Sequence, residues 1–149
     1  MSNEIKKAGH AADAAGIELS TMIILGLGGK ELTEEHAIHT ADILNDLSPS
    51  MLGIMTLLPR AGTPLERQIE AGQFQRLSRQ ETLQELLTLL TRLTLHRPSS
   101  LRASHIYNFV DLAGTLPEDK EALLAQVRQS LEQEPTIEKE LTYKNYGIF

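Results

Sequence analysis

"TMIILGLGGKELTEEHAIHTADILNDLSPSMLGIMTLLP", residues 21–59, holds two apolar runs on either side of a polar stretch with helical spacing. The first run breaks into three glycines within four positions, Gly26, Gly28 and Gly29, followed by Lys30 and Glu31. Its apolar end does not alternate with polar residues, the pattern of a strand covered on both faces. "LTEEHAIHTADILNDLSP" reads as a helix. Thr33 is placed to cap it, and Glu34 and Glu35 sit where the helix dipole favours anions. Ala37, Ile38, Ala41, Leu44 and Leu47 form an inner stripe. Pro49 blocks continuation, and residues 51–58 make a second buried strand. Strand, helix and strand with short connections form a βαβ unit in a parallel sheet.

The flanking sequence extends this pattern. "NEIKKAGHAADAAG" has helical character, with Ile5, Ala8, Ala12 and Ala15 along one face and Gly16 as its stop. After the second strand comes the loop "PRAGTPLERQ", in which Pro64 starts a short helix. "SRQETLQELLTLLTRLTL" is the strongest helix, with Ser78 and Glu81 at capping-box spacing and Leu83, Leu86, Leu87, Leu90 and Leu93 as its buried stripe. "RASHIYNFVDL" reads as a third strand with a following loop, and "LPEDKEALLAQVRQSLEQ" as a last helix with Pro117 near its start. The aromatic tail "TYKNYGIF", residues 142–149, has no clear assignment. The expected organisation is a βαβα part over residues 1–76 and a mainly helical region with one strand over 77–149, in the same structural unit.

Composition narrows the function classes. The chain has 149 residues, 41% of them hydrophobic, which suits one ordinary domain with a packed core. A net charge of −6 argues against a general electrostatic hold on nucleic acid or anionic lipid. No apolar run approaches the roughly 18 residues of a membrane helix, and "MSNEIKKAGH" lacks the apolar core of a signal peptide, so a cytoplasmic protein is expected. Cysteine is absent, which removes disulfides, thiolate nucleophiles and cysteine-held iron–sulfur clusters from this chain.

The glycines match neither common phosphate motif. A Walker loop requires a hydroxyl after Gly-Lys, and Glu31 stands there; Ile24 occupies the position of its first glycine. A dinucleotide fingerprint would use Gly26 and Gly28 but again meets Glu31. A plain turn after a strand accounts for the glycines by themselves. Yet "GLGGKE" and "PRAGTPL" both follow strands of a parallel sheet, at the end where such folds bind ligands, and successive strands bring them side by side.

With both loops considered together, the sequence resembles the later part of a radical S-adenosylmethionine enzyme. Members often carry a G-x-I-x-G-x-x-E-like pattern on the fifth strand; "MIILGLGG" supplies Ile24 and Gly26 in phase, but Met22 replaces the first glycine and Gly29 the acid. Where many members read "GLPGET", this chain reads "GLGGKE", Gly26 to Glu31; the later "P-x-x-GTPL" is present in full from Pro59 to Leu65. The likeness is firm over residues 14–66 and looser over 101–124. It implies a partial (β/α) barrel, the second half of a TIM-like barrel, with a helical extension. It also implies that Ile24 packs on the adenine of S-adenosylmethionine, that Gly26 allows close approach, and that Leu57, Leu58 and Pro59 line the other side through their backbone. Arg60 and His105 are weaker candidates for substrate contacts.

The defining C-x-x-x-C-x-x-C motif, which holds a four-iron–four-sulfur cluster, is not in this chain. Nor are the earlier strands of a barrel that takes about 250 residues when complete. The resemblance therefore implies a catalytically incomplete piece whose parent holds the cluster and generates a 5′-deoxyadenosyl radical. Its expected partners are the missing half-barrel or a second copy, because half a sheet leaves a strand edge open. The alternative is a non-catalytic module that docks a partner through its leucine-rich helix and open edge; a different barrel enzyme with a phosphate site at these loops is a third reading. Among other candidates, His36 and His39 have a spacing compatible with zinc but no third ligand, so no metal is expected. Lys30 and Glu31 read as a solvated turn, His10 and His96 as surface residues, and Asp111, Glu118 and Asp119 as turn and helix-start residues.

Overall fold

A computed structural model describes residues 2–133; the aromatic tail, residues 142–149, lies outside the described residues. The elements run α1 (Ser2–Ala14), β1 (Ser20–Leu25), α2 (Thr33–Leu47), β2 (Met51–Thr56), α3 (Pro64–Glu70), α4 (Arg79–Arg92), β3 (Ser99–Arg102), β4 (Ala113–Leu116) and α5 (Lys120–Glu132). The sheet has the order β1-β2-β3-β4: the first three strands are parallel, and β4 returns antiparallel to β3. The chain is thus α/β with an open, mixed four-stranded sheet.

Alternation along the strands separates two unlike faces. Ile23, Leu25, Leu52, Ile54, Leu101 and Leu116 are buried. They lie beneath a row of helices in which α1 packs on α2, α2 on α4, and α4 on α5. One apolar cluster runs from Ile23 to Val127 and includes Leu83, Leu86, Leu89, Leu90 and Leu93 of the α4 region. Burying each such leucine contributes about 1.5–3 kcal/mol. On the opposite face Met22 is 64% exposed and Met51 47%, and Ile24 and Met55 are half-buried. The expectation of strands covered on both faces is therefore corrected. Strands in sequential order with every packed helix on one side leave the second face bare among the described residues.

Local signals held where partners are close in sequence. Gly16 ends α1 with φ 74°. Ser78 caps α4 in a full capping box, its hydroxyl accepting from Glu81 N while the Glu81 carboxylate accepts from Ser78 N. Pro64 opens α3. Three readings change. The N-cap of α2 is Leu32, with Thr33 already helical and its hydroxyl engaged elsewhere. On α4, Leu89 is in the core and Leu87 only half-buried. The third strand is Ser99–Arg102, sharing only Arg102 with the expected stretch, and β4 was not anticipated.

The amino-terminal end of the sheet is tied by polar contacts. Ser48 closes α2 in the left-handed region at φ 42°, and its hydroxyl accepts from His96 N (3.0 Å) and lies 2.7 Å from His96 Nδ1. These contacts offset the cost, about 1–2 kcal/mol, of that conformation for a residue with a Cβ. Next to it Arg97 donates to Leu47 O (2.9 Å) and to Asp13 Oδ1. That hydrogen bond, helped by the guanidinium charge, holds the Asp13 carboxyl below the usual aspartate range. His10, then Lys6, does the same for Asp46, and the Ser78 backbone, then Lys30, for Glu81. Each native value lies below the unfolded one, so each contribution is complete above about pH 4.5 and is lost as the pH falls through the lowered native value. Urea midpoints should therefore fall on acidification below about pH 4, and less steeply in Arg97→Met. That variant also loses the Leu47 contact, which lowers the midpoint equally at every pH. An acid slope identical to the parent's would refute the role given to Asp13.

Candidate functional site

The glycine loop wraps a carboxylate of its own chain. Gly26 adopts φ 86° and turns its N–H toward Glu85 Oε1 at 2.9 Å. Thr33 Oγ1 donates to Glu85 Oε2 (2.5 Å), and His36 Nδ1 stands 3.1 Å from Oε1. The Glu85 side chain is fully enclosed, 0% exposed, and arrives from α4. At Gly28 there is no room for a side chain: a Cβ would meet Leu32 O at 2.8 Å and His36 Cβ at 3.1 Å. Lys30 N donates to Gln75 O (2.9 Å), which pins the loop to the segment leading into α4. The anion that the Gly26 amide binds is thus internal, and the loop's shape follows from that ligand.

Glu85 escaped the sequence reading although it carried a signal. It lies three residues after Thr82 and four before Leu89, inside the face that α4 buries. A carboxylate in the middle of an apolar stripe requires partners. Thr33 and His36, the helix-start threonine and one of the paired histidines, are those partners.

The carboxyl end of the sheet carries a cavity of about 250 Å³ on the uncovered face. The β1–β2 register sets Ile24 beside Met55, and both line it, joined by Leu57, Leu58, Arg60 and His105. Five of the residues expected at a cofactor or substrate site therefore share one cavity. Gly26 lines a neighbouring cavity on the helix side, and Pro59 is not among the residues lining either. Backbone capacity here is limited: Leu57 N donates to Leu25 O (2.9 Å), extending the β1–β2 ladder, and Pro59 has no N–H.

Tyr107, not singled out before, completes the far wall, its ring centroid 4.9 Å from that of His105 at an interplanar angle of 48°. Both are placed by Asn108, whose buried amide donates to Ile54 O and Ala103 O, each at 2.8 Å, and accepts from Thr56 Oγ1 at 3.1 Å. The β2–β3 ladder ends at Gly53 opposite Arg102. Beyond that point the Asn108 side chain bridges the two strands in place of backbone pairing. This is why residues 103–112, expected to begin a strand, form a loop.

The "PRAGTPL" segment has a structural account as well. Gly62 takes φ 80°, Thr63 caps α3 by accepting from Glu66 N (3.2 Å) and donates to Arg60 O (2.7 Å), and Pro64 fills the first helical turn. Glu66 accepts from Gly62 N (2.6 Å) and Arg67 donates to Gly62 O (3.0 Å), so the turn closes on itself with Arg60 at the cavity rim.

Lys30 pairs with Glu81 at 3.0 Å, both partly exposed. His10 is exposed and pairs with Asp46. Among the described residues no group of three or more His, Asp or Glu is arranged to hold a metal ion, and no helix is long and apolar enough to cross a membrane. Comparison with protein-family models, curated proteins and solved structures gives no match.

Proposed function

We propose that this chain is the carboxyl-terminal part of a radical S-adenosylmethionine enzyme and supplies the adenine side of the cofactor site. The observation that carries this reading is the meeting of Ile24, Leu57 and Leu58 in one cavity, at the carboxyl ends of adjacent parallel strands, on the bare face of the sheet. The parallel, singly wound β1-β2-β3 part is compatible with a barrel segment whose interior is the bare face, although the antiparallel β4 departs from that topology. The cavity fits a flat apolar ring: Ile24 and Met55 offer a surface, and Leu58 N–H with the nearby carbonyls offers polar edges. The cluster is a different matter, because its cysteine ligands are not in this chain. No radical step can be assigned to these residues alone. Arg60, His105 and Tyr107 face the same space and would meet the substrate.

The test is a titration of the isotope-labelled chain with adenosine and with S-adenosylmethionine, read on methyl resonances. The expected result is weak, saturable shifts at Ile24, Leu57 and Leu58, abolished in Ile24→Asp. A folded chain whose methyl signals stay still up to millimolar ligand would end the adenine-site reading. The competing reading, a docking module, draws on the exposed Met22 and Met51 and on the β1 edge, which has no strand neighbour among the described residues. The leucine-rich helix offers it less than first expected, because Leu83, Leu86, Leu90 and Leu93 are in the core and Leu87 is partly buried against it. A stable homodimer with no affinity for adenosine compounds would favour it.

A further inference from the structure

The bare-face cavity changes character across its width. Towards β1 and β2 its walls are Ile24, Met55, Leu57 and Leu58, all apolar. Towards the loops that follow β2 and β3 they are Arg60, His105 and Tyr107. Thr56 contributes a hydroxyl that already donates to Asn108 Oδ1. Among the described residues no carboxylate lines this cavity, in a chain whose 20 Asp and Glu outnumber its 14 Lys and Arg. The polar flank therefore offers donors and positive charge with no anion of its own.

Local contacts seat Arg60 and His105 without using their outward donors. The Arg60 carbonyl accepts from Thr63 Oγ1 (2.7 Å) and Thr63 N (3.3 Å), which fixes the backbone. Its guanidinium has no hydrogen-bond or ion-pair partner among the described residues. Glu66, the nearest acid in sequence, turns a carboxylate oxygen to Gly62 N (2.6 Å) instead. The His105 carbonyl accepts from Asn108 N (2.8 Å), and its ring lies against Tyr107. Its Nδ1 accepts from Tyr107 N (3.4 Å), so the neutral ring carries its proton on Nε2 and presents a donor there. A guanidinium and an imidazole N–H beside an apolar floor, with no acid in the lining, select an oxyanion on an otherwise apolar body.

We infer that the substrate of the parent enzyme is a small acidic molecule bearing a carboxylate or phosphate. Arg60 and His105 hold its anionic group, and its body lies over Met55 and Leu58, next to the adenine. The assignment to a substrate rests on the adenine site proposed above, whereas anion binding at this flank is a property of the cavity itself.

Phenyl phosphate, benzoate and the uncharged benzyl alcohol test this on the isotope-labelled full chain, alongside adenosine. The anions should shift the His105 ring and the Met55 and Leu58 methyl signals saturably, with an affinity about tenfold or more above that of benzyl alcohol. Arg60→Gln should weaken both anions about tenfold, as expected for one charge-assisted hydrogen bond, and leave benzyl alcohol unchanged; Arg60→Lys should keep part of the affinity. Lys7→Gln removes the same charge from the exposed surface of α1 and should change nothing. The tighter of the two anions names the group that the flank prefers. Anions bound no better than benzyl alcohol, or equally well by Arg60→Gln, would overturn the inference, and adenosine shifts at Ile24 and Leu57 in the same chain would show that the adenine reading survives. Anions held through Arg60 with no response to adenosine would end the adenine reading, and with it the assignment to a substrate. Circular dichroism of each variant shows that it is folded.

Discussion

Replacing Glu85 by alanine is expected to destabilise the protein by about 3–5 kcal/mol, the loss typical when one partner of a buried charged network is removed. The side chain is wholly enclosed, and its loss strands the Gly26 amide, the Thr33 hydroxyl and His36 Nδ1 together. For a chain of this size the melting temperature should fall by about 10 °C. Glu85→Gln keeps the shape and one oxygen but turns an amide NH2 toward another group; about 1–2 kcal/mol is expected from that single mismatch. Hydrogen exchange should localise the effect, with the Gly26 amide losing protection first. An alanine variant within about 1 kcal/mol of the parent would show that the carboxylate does not organise the loop.

Asn108→Ala is the second large effect, about 2–4 kcal/mol, since it leaves two buried carbonyls and one hydroxyl without partners. Asn108→Asp is nearly isosteric and discriminates sharply. A carboxylate cannot donate to the Ile54 and Ala103 carbonyls, so this variant should be at least as unstable as the alanine one. Denaturant midpoints measure both. The second readout is local: the His105 and Tyr107 resonances should move in either variant, because the residue that seats their loop on β2 is gone. An aspartate variant as stable as the parent would refute the donor role.

What the sequence disclosed divides along the distance between partners. The capping box of Ser78 and Glu81, the stop at Gly16 and the α3 start at Pro64 are fixed by residues within a turn of one another, and each was legible. The βαβ unit was legible because its apolar runs are long. Glu85 meets partners 49 to 59 positions away, and Asn108 meets Ile54 across 54. No local pattern specifies such pairings. Thr33 shows the competition directly: its spacing suits a cap, but the distant carboxylate takes its hydroxyl. Of the residues read as site candidates, Ile24, Leu57, Leu58, Arg60 and His105 line one cavity on the bare face, while Gly26 and Pro59 do not. Tyr107 was missed because its position depends on Asn108 and not on periodicity.

The reversal at β4 bears on the edges of the sheet. On one flank the parallel series is terminated by a short antiparallel strand of four residues, backed by α5. On the other, β1 offers six residues whose outer side, like that of β4, has no strand neighbour among the described residues. Both are edges of the sheet, but at β4 the Thr115 N–H and carbonyl are already bonded to Asp119, so a strand added to the sheet would find backbone partners over a longer run at β1. The two edges of the sheet are in this sense unequal: a short one whose backbone is partly used up by the turn into α5, and a longer one along β1.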